Sequence, residues 1–362
     1  MKLVIFGLSI SSSWGNGHAT LWRGLAASLA QRGHRIVFFE RDVPYYAAHR
    51  DLTAVPGGEL VLYPDWHAVQ ERARRELADA DVALATSYCP DALAAEQLMH
   101  DVQPPLRVFY DLDTPVTLAR LERGEDVPYI GTDGLAGYDL VLSYTGGGAL
   151  TQLRERLGAR RVSPLYGSVD PGLHRPTAPE KAFRAHVSYL GTYAADRQDA
   201  LDRLFIQPAE RMPDQRFLIG GAQYPHDFPW SRNIWFVQHV QPADHPAFYC
   251  SSRLTLNVTR EPMAAMGWCP SGRLFEAAAC GVPVVSDWWP GLDEFFAPGE
   301  EIIVAHDTAD AIAAYSLPAD HLAAVGRAAR ERALHDHTAE RRAVQLEAAL
   351  DAAMQPAEAA GH

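Results

Sequence analysis

The chain has 362 residues, 48% hydrophobic and 21% charged, which is the composition of folded domains rather than of disorder, at a length that suits two of them. Its 32 basic and 45 acidic residues give a net charge of −13, which argues against a broad nucleic-acid footprint and against a polybasic membrane patch. Lysine occurs only at Lys2 and Lys181, so there is no G-K-[ST] phosphate loop and fixed cationic work falls to arginine.

Cys89, Cys250, Cys269 and Cys280 form no C-x-x-C, which excludes a zinc ribbon. The opening MKLVIFGLSI is too short for a signal peptide or a membrane span. The expectation is a cytoplasmic protein with reduced thiols and no stable membrane insertion.

Residues 2–10 form an apolar run expected to be a buried parallel strand. A polar loop, Ser11 to Gly17, leads into a helix from about His18, with Leu21, Leu25 and Leu29 on one face and Gly33 beyond its end. Residues 35–39 are the second strand, which makes a βαβ opening. Further strands are expected at Val82–Thr86, Arg107–Tyr110 and Leu140–Ser143, with helices at 66–79 and 90–100 between them. Prolines and glycines crowd residues 164–179, as in a connection between domains. A second series follows: strand 186–190, loop Gly191-Thr192-Tyr193, a helix from about Asp196, then strands at 216–219, 234–237, 253–257, 282–286 and 302–304. Residues 319–354 are helical, and 355–362 is a frayed tail. The architecture expected is α/β: two Rossmann-like, doubly wound domains facing a cleft, 1–168 and 169–335, with a C-terminal helix and tail at 336–362.

Several residue groups stand where chemistry is expected. Gly15-Asn16-Gly17-His18 opens a helix after the first strand, where backbone N–H groups and the dipole attract an anion. Three readings stay open: a helix-opening loop, a site for a sugar or acceptor, or part of an NAD fingerprint supported by Glu40. Against the last, a G-x-G-x-x-G begun at Gly15 has Thr20 in the third place. His18 has the ordinary pKa range of a general base. Asp111 and Asp113 follow an apolar strand, at the end where ligands bind, and Asp113 before Thr114-Pro115 is also a plain turn former. Ser271 to Gly281 is a short alanine-rich helix whose N-terminus, with Ser271, Gly272 and Arg273, suits a phosphate. Glu276 interrupts its apolar face; it is either an intrahelical partner of Arg273 or a ligand for ribose or sugar hydroxyls. Trp22 is expected in the core. His335 and His337, at i and i+2, share no helix face and make no metal pair.

The stretch RLFEAAACGVPVVSDWWPGLDEFF, with SSSWGNGHATLWRGL, YDLDTPVTL, PLYGSVDP and NVTREPM, resembles the GT-B glycosyltransferases of group 1, in particular the CgeB-like (spore maturation protein) branch. The resemblance implies a transferase that moves a sugar from a nucleotide-diphosphate sugar to a small-molecule or glycan acceptor, with no cofactor. It implies that Glu276 holds the donor ribose. Gly191, Thr192, Tyr193 and Arg197 would bind the diphosphate, His239 and Val240 would flank the base, and Gly15 to His18 would lie near the transferred sugar. Arg197, Arg260 and Arg273 can neutralise the leaving pyrophosphate without a metal. One position departs from the pattern: Trp268 stands where many of these enzymes carry a second glutamate. The competing readings are an NAD-dependent oxidoreductase and a non-catalytic nucleotide-sugar-binding protein.

Overall fold

The computed structural model describes residues 1–355, so the tail lies outside the described residues from position 356 on. The chain forms two compact units. One is Met1–Tyr166 together with the last helix, Ala339–Met354, and the other is Gly167–Thr338.

The first unit holds a seven-stranded, all-parallel sheet of β1 (Lys2–Gly7), β2 (Arg35–Arg41), β3 (Gly58–Tyr63), β4 (Val82–Thr86), β5 (Leu106–Asp111), β6 (Leu140–Ser143) and β7 (Val162–Pro164), in the order 3-2-1-4-5-6-7. Both faces are covered, so the central strands are continuous apolar runs. In β1, Val4 and Phe6 enter one core while Leu3 and Ile5 enter the other. The outer strands β3 and β7 have no such run, and the hydropathy pattern does not mark them. β1 stops at Gly7, short of residue 10, because the next residues wrap around Glu40. That carboxylate, at the end of β2, accepts from Ser9 Oγ, Ile10 N, Ser11 N and Ser11 Oγ.

The second unit holds a six-stranded parallel sheet: β8 (Ala185–Leu190), β9 (Phe217–Gly221), β10 (Ile234–Gln238), β11 (Ser252–Asn257), β12 (Val284–Ser286) and β13 (Ile303–Val304), in the order 10-9-8-11-12-13. The helix expected from Asp196 is irregular. It runs as a 3₁₀ turn (Ala195–Arg197), an α turn (Gln198–Leu201), a π turn (Asp202–Ile206) and a last α turn (Gln207–Arg211). Pro208, which has no N–H to donate, sits in that last turn.

The helical segment 319–354 is two helices, Ala319–Asp336 and Ala339–Met354. The second belongs to the first unit's core: Ala343, Leu346, Leu350 and Ala353 pack in one cluster with Trp22, Leu25 and Leu29 of the helix Gly17–Gln31. Leu346 is 1% exposed, and its truncation leaves a cavity there. Leu346→Ala is therefore expected to destabilise the first unit by about 2–5 kcal/mol. Hydrogen exchange followed by mass spectrometry should show faster exchange in β1 and β4 and unchanged exchange in β8 to β12.

Candidate functional sites

In each parallel sheet the strand order reverses at one point, and the loops that part there leave a crevice at the carboxyl ends of the strands. In the second sheet the reversal lies between β8 and β11. The loop after β8 begins at Gly191, whose N donates to Gly220 O at 2.8 Å. A Cβ at Gly191 would lie 2.5 Å from Arg273 Nη1 and 2.9 Å from Tyr189 Oη, so a larger residue there would have to displace the guanidinium.

Arg273 ties the reversal together. Its Nη1 donates to Leu190 O (2.6 Å), at the end of β8, and its Nη2 to Val258 O (3.3 Å), just past β11. Its Nε donates to Ser271 Oγ (2.9 Å). Ser271 has N-cap geometry for the helix Gly272–Ala279, but its side chain does not cap it; it orients Arg273 instead. The first amides of that helix are left for another acceptor, and the space a Cβ would occupy at Gly272 is open.

Two more arginines converge here. Arg197 Nη1 donates to Thr192 O (2.9 Å), while its buried Nε has no partner. Burial, with Arg273 and Arg260 nearby, depresses its pKa. Arg260 pairs with Asp196 at 2.8 Å. The aromatic wall is Tyr193 and Tyr224, 5.6 Å apart, with Tyr224 Oη donating to Gly191 O. His239, just past β10, has φ +51° and donates its N to Gly221 O; Val240 is buried behind it.

Glu276 does not pair with Arg273. Its Oε2 accepts from Tyr249 Oη (3.2 Å) and faces His245 Nδ1 (3.4 Å) and His174 Nε2 (3.9 Å). Burial alone would raise this carboxyl, but His174 and His245 outweigh it and hold it at about 2. Sequence reasoning missed Tyr249 and both histidines. His174 stands in the proline-rich connector and His245 opens the helix His245–Cys250, at separations that carry no motif.

In the first sheet the reversal lies between β1 and β4. The loop after β1 carries Gly15 (φ +59°) and Asn16. Asn16 caps the helix Gly17–Gln31: its Oδ1 accepts from His18 N, and its Nδ2 donates to Ser9 O and Ser12 O. Asn16 is thus withdrawn into the loop, while Gly15 and Gly17 are exposed and His18 is half-buried. His18 Nε2 lies 3.8 Å from Asp113 Oδ2, and its Nδ1 is buried without a partner. Burial lowers its pKa, with Asp113 opposing, so the ring is neutral at pH 7.

The loop after β4 adds Tyr88, a non-glycine residue at φ +63°. Its ring lies 5.8 Å from that of His18, and its hydroxyl lies against Asp113. Such a conformation stores strain, and nothing in the local sequence announces it. Asp111 is fully buried behind Asp113. Its Oδ1 accepts from Asp113 N and Thr117 Oγ1 while Oδ2 has no partner. Burial pushes its pKa up to about 6.

Glu40 is 0% exposed, and both of its oxygens are engaged by the 9–11 loop. It holds that loop and offers nothing to a ribose, which removes the support for NAD. Trp22 is in the core, as expected. Trp268 (φ +44°) donates Nε1 to Glu294 and covers Gly291. His335 is exposed beside Asp336, and His337 packs on Phe275 and donates Nε2 to Phe295 O at 3.1 Å.

Residues 197–348 match a family model described as glycosyl transferase-like. No curated protein matches the chain. Among solved structures, sucrose-phosphate synthase from Thermosynechococcus elongatus is similar over 96% of this chain and 98% of its own, with 14% identity and a TM-score of 0.70. Anabaena HepE in complex with UDP-glucose is similar over 97% and 100%, with 14% identity and a TM-score of 0.69. The fold is GT-B. The catalytic domain of starch synthase IV from Arabidopsis thaliana, bound to ADP and acarbose, shares this GT-B fold at 12% identity over 98% and 99%, with a TM-score of 0.67. Among the described residues no helix is long and apolar enough to cross a membrane.

Asp111 gives the first unit a pH signature. Its folded pKa, about 6, lies above its ordinary 3.8, so the native state holds a proton that the unfolded state releases between those values. Stability from this group therefore falls as pH rises from 4 to 6. Asp111→Asn keeps the accepting oxygen and removes the titration. Relative to wild type, the variant should gain roughly 2–3 kcal/mol between pH 4 and pH 7, read from thermal melts across that range; a difference that does not change with pH would contradict the assignment.

Proposed function

We propose that the protein is a glycosyltransferase of the CgeB-like kind that moves a sugar, in the simplest case a hexose, from a nucleoside-diphosphate sugar to a small-molecule or glycan acceptor. The observation that carries this is the gathering of Arg197, Arg260 and Arg273 around the Gly191 loop, where β8 and β11 part. Arg197 and Arg273 donate to backbone carbonyls rather than to carboxylates, so of the three only Arg260, paired with Asp196, has its positive charge matched, and a diphosphate supplies what is missing. The open N-terminus of the helix Gly272–Ala279 adds its dipole to the same end.

In this reading the second unit holds the donor. Glu276, four residues into the helix, receives the ribose hydroxyls. Gly191, Thr192 and Tyr193 let the diphosphate approach the backbone, and His239 and Val240 border the base. As the glycosidic bond breaks, charge grows on the leaving diphosphate, and the arginines stabilise it more in the transition state than in the bound donor. That charge is met without a metal ion at the phosphates. The acceptor side lies in the first unit, at Gly17, His18 and Asp113. Neutral His18 accepts the proton of the attacking hydroxyl, and Asp113 stabilises the imidazolium that forms. HepE, solved with UDP-glucose, and starch synthase IV, solved with ADP, support a nucleotide donor, as does the family match over residues 197–348.

Thermal-shift titration with UDP-, ADP- and GDP-sugars beside NAD tests the ligand class: stabilisation by at least one nucleotide sugar and none by NAD is expected. Arg197→Ala should weaken nucleoside-diphosphate binding tenfold or more, as for loss of a charge-assisted hydrogen bond of about 1.5–3 kcal/mol, and leave nucleoside binding nearly unchanged. Equal losses for both ligands would remove Arg197 from the phosphates.

His18→Ala should lower kcat by about 10²–10⁴ with little change in donor affinity. Because burial depresses His18, the acid limb of the wild-type pH–rate profile should lie below the ordinary histidine value and be absent from the variant. Near wild-type turnover in His18→Ala would make Asp113 the next residue to test.

A further inference from the structure

We infer that His174, His245 and Glu276 form a binding site for one divalent transition-metal ion of the zinc class, ligated through His174 Nε2, His245 Nδ1 and Glu276 Oε2. The inference goes beyond the donor reading, which requires no ion, and departs from the sequence-based expectation of a metal-free protein.

The three ligand atoms lie within 4.8 Å of one another. Oε2 of Glu276 is 3.4 Å from His245 Nδ1 and 3.9 Å from His174 Nε2. These distances are too long for charge-assisted hydrogen bonds, which fall near 2.7–2.9 Å. The shorter matches the spacing of ligands around one ion, since metal–ligand bonds of about 2.0–2.2 Å at tetrahedral angles separate neighbouring ligand atoms by roughly 3.4 Å, and the wider spacings require the ligands to draw in when the ion binds.

The second observation is the state of the imidazoles. His174 is 4% exposed, and neither of its ring nitrogens has a hydrogen-bond partner; His245 Nδ1 is also buried without one. A buried polar atom left without a partner costs about 1–3 kcal/mol, and two of these atoms, His174 Nε2 and His245 Nδ1, face one carboxylate oxygen. Two imidazoles and one carboxylate are a donor set for zinc, not for magnesium or calcium, which take oxygen ligands. Tyr249 Oη, donating to Glu276 Oε2 at 3.2 Å, supplies the outer hydrogen bond that orients a ligating carboxylate. The contacts of the carboxylate with Tyr249 and both histidines all use Oε2, so the other oxygen stays available to a ribose.

Such an ion would join three separate segments of the second unit: the turn at His174, the helix His245–Cys250 and the helix Gly272–Ala279. It would fix the Glu276 carboxylate before any donor arrives.

The full chain, stripped with a chelator, is titrated with zinc against a chromophoric competitor, and cobalt(II) is used as the spectroscopic probe. One equivalent of zinc and a visible cobalt band typical of four- or five-coordinate nitrogen and oxygen ligation are expected. His174→Ala and His245→Ala should each lower zinc affinity by on the order of 10²-fold, and each should melt within a few degrees of the stripped wild type. If His174→Ala does not fold, His174→Gln, which keeps most of the volume, takes its place. Substoichiometric zinc, or a full equivalent retained with unchanged affinity in both histidine variants, overturns the site. Nucleoside-diphosphate binding by Arg197→Ala is measured in parallel: it reports on the donor reading alone, so either proposal can fail while the other stands.

Discussion

Positive charge at the reversal of a parallel sheet is the constraint on which the second unit depends. Arg273 bonds the last carbonyl of β8 and the first beyond β11, so its guanidinium is at once the clamp on the two strands and part of the charge offered at their ends. Arg197 is held the same way, by the carbonyl of Thr192. A lysine could not replace either: a fork with several fixed donors can satisfy carbonyls on one side and keep a face toward an anion on the other, whereas an ammonium is a single point. The near absence of lysine from the chain and the arginine-built site are two sides of this chemistry.

The first unit uses burial rather than charge excess. Glu40 and Asp111 are both fully enclosed at strand ends, yet they do different things. Glu40 receives four donors and fixes the 9–11 loop, which places Asn16 to cap the helix and His18 to stand at its first turn. Asp111 has an unpartnered oxygen and a pKa pushed up to about 6. It lies directly behind Asp113, so the pair cannot both carry charge without repulsion. Tyr88, held at positive φ, closes this group from the other loop. The strain and the uncompensated polar atoms cluster where the proposed chemistry occurs.

Much of this was legible in the residues. The central strands were readable because both of their faces are buried, and burial on both faces writes a continuous apolar run. The edge strands β3 and β7 were not, because neither stands out as an apolar run, whereas the equally exposed edge strand β10 was, because its IWFV is apolar whatever its burial. Gly191 and Arg273 could each be singled out, but not that a Cβ at the one would stand 2.5 Å from the guanidinium of the other. Asn16 looked like a possible ligand and proved to be a cap. Ser271 looked like a cap and proved to orient an arginine. Both residue types offer the same hydrogen-bonding groups locally, and only the folded surroundings choose the partner.

By itself the sequence determined the doubly wound α/β architecture, the loops that carry the proposed sites and the arginine character of the proposed donor site, because periodicity, glycine placement and charge are local properties. Tertiary structure alone decided which distant residues meet. It brought His174 and His245 to Glu276 across separations with no motif, withdrew Glu40 from any ligand and sent the last helix back to the first unit's core. Those outcomes depend on burial and on distances of a few ångströms between segments far apart in the chain, and no local pattern encodes either.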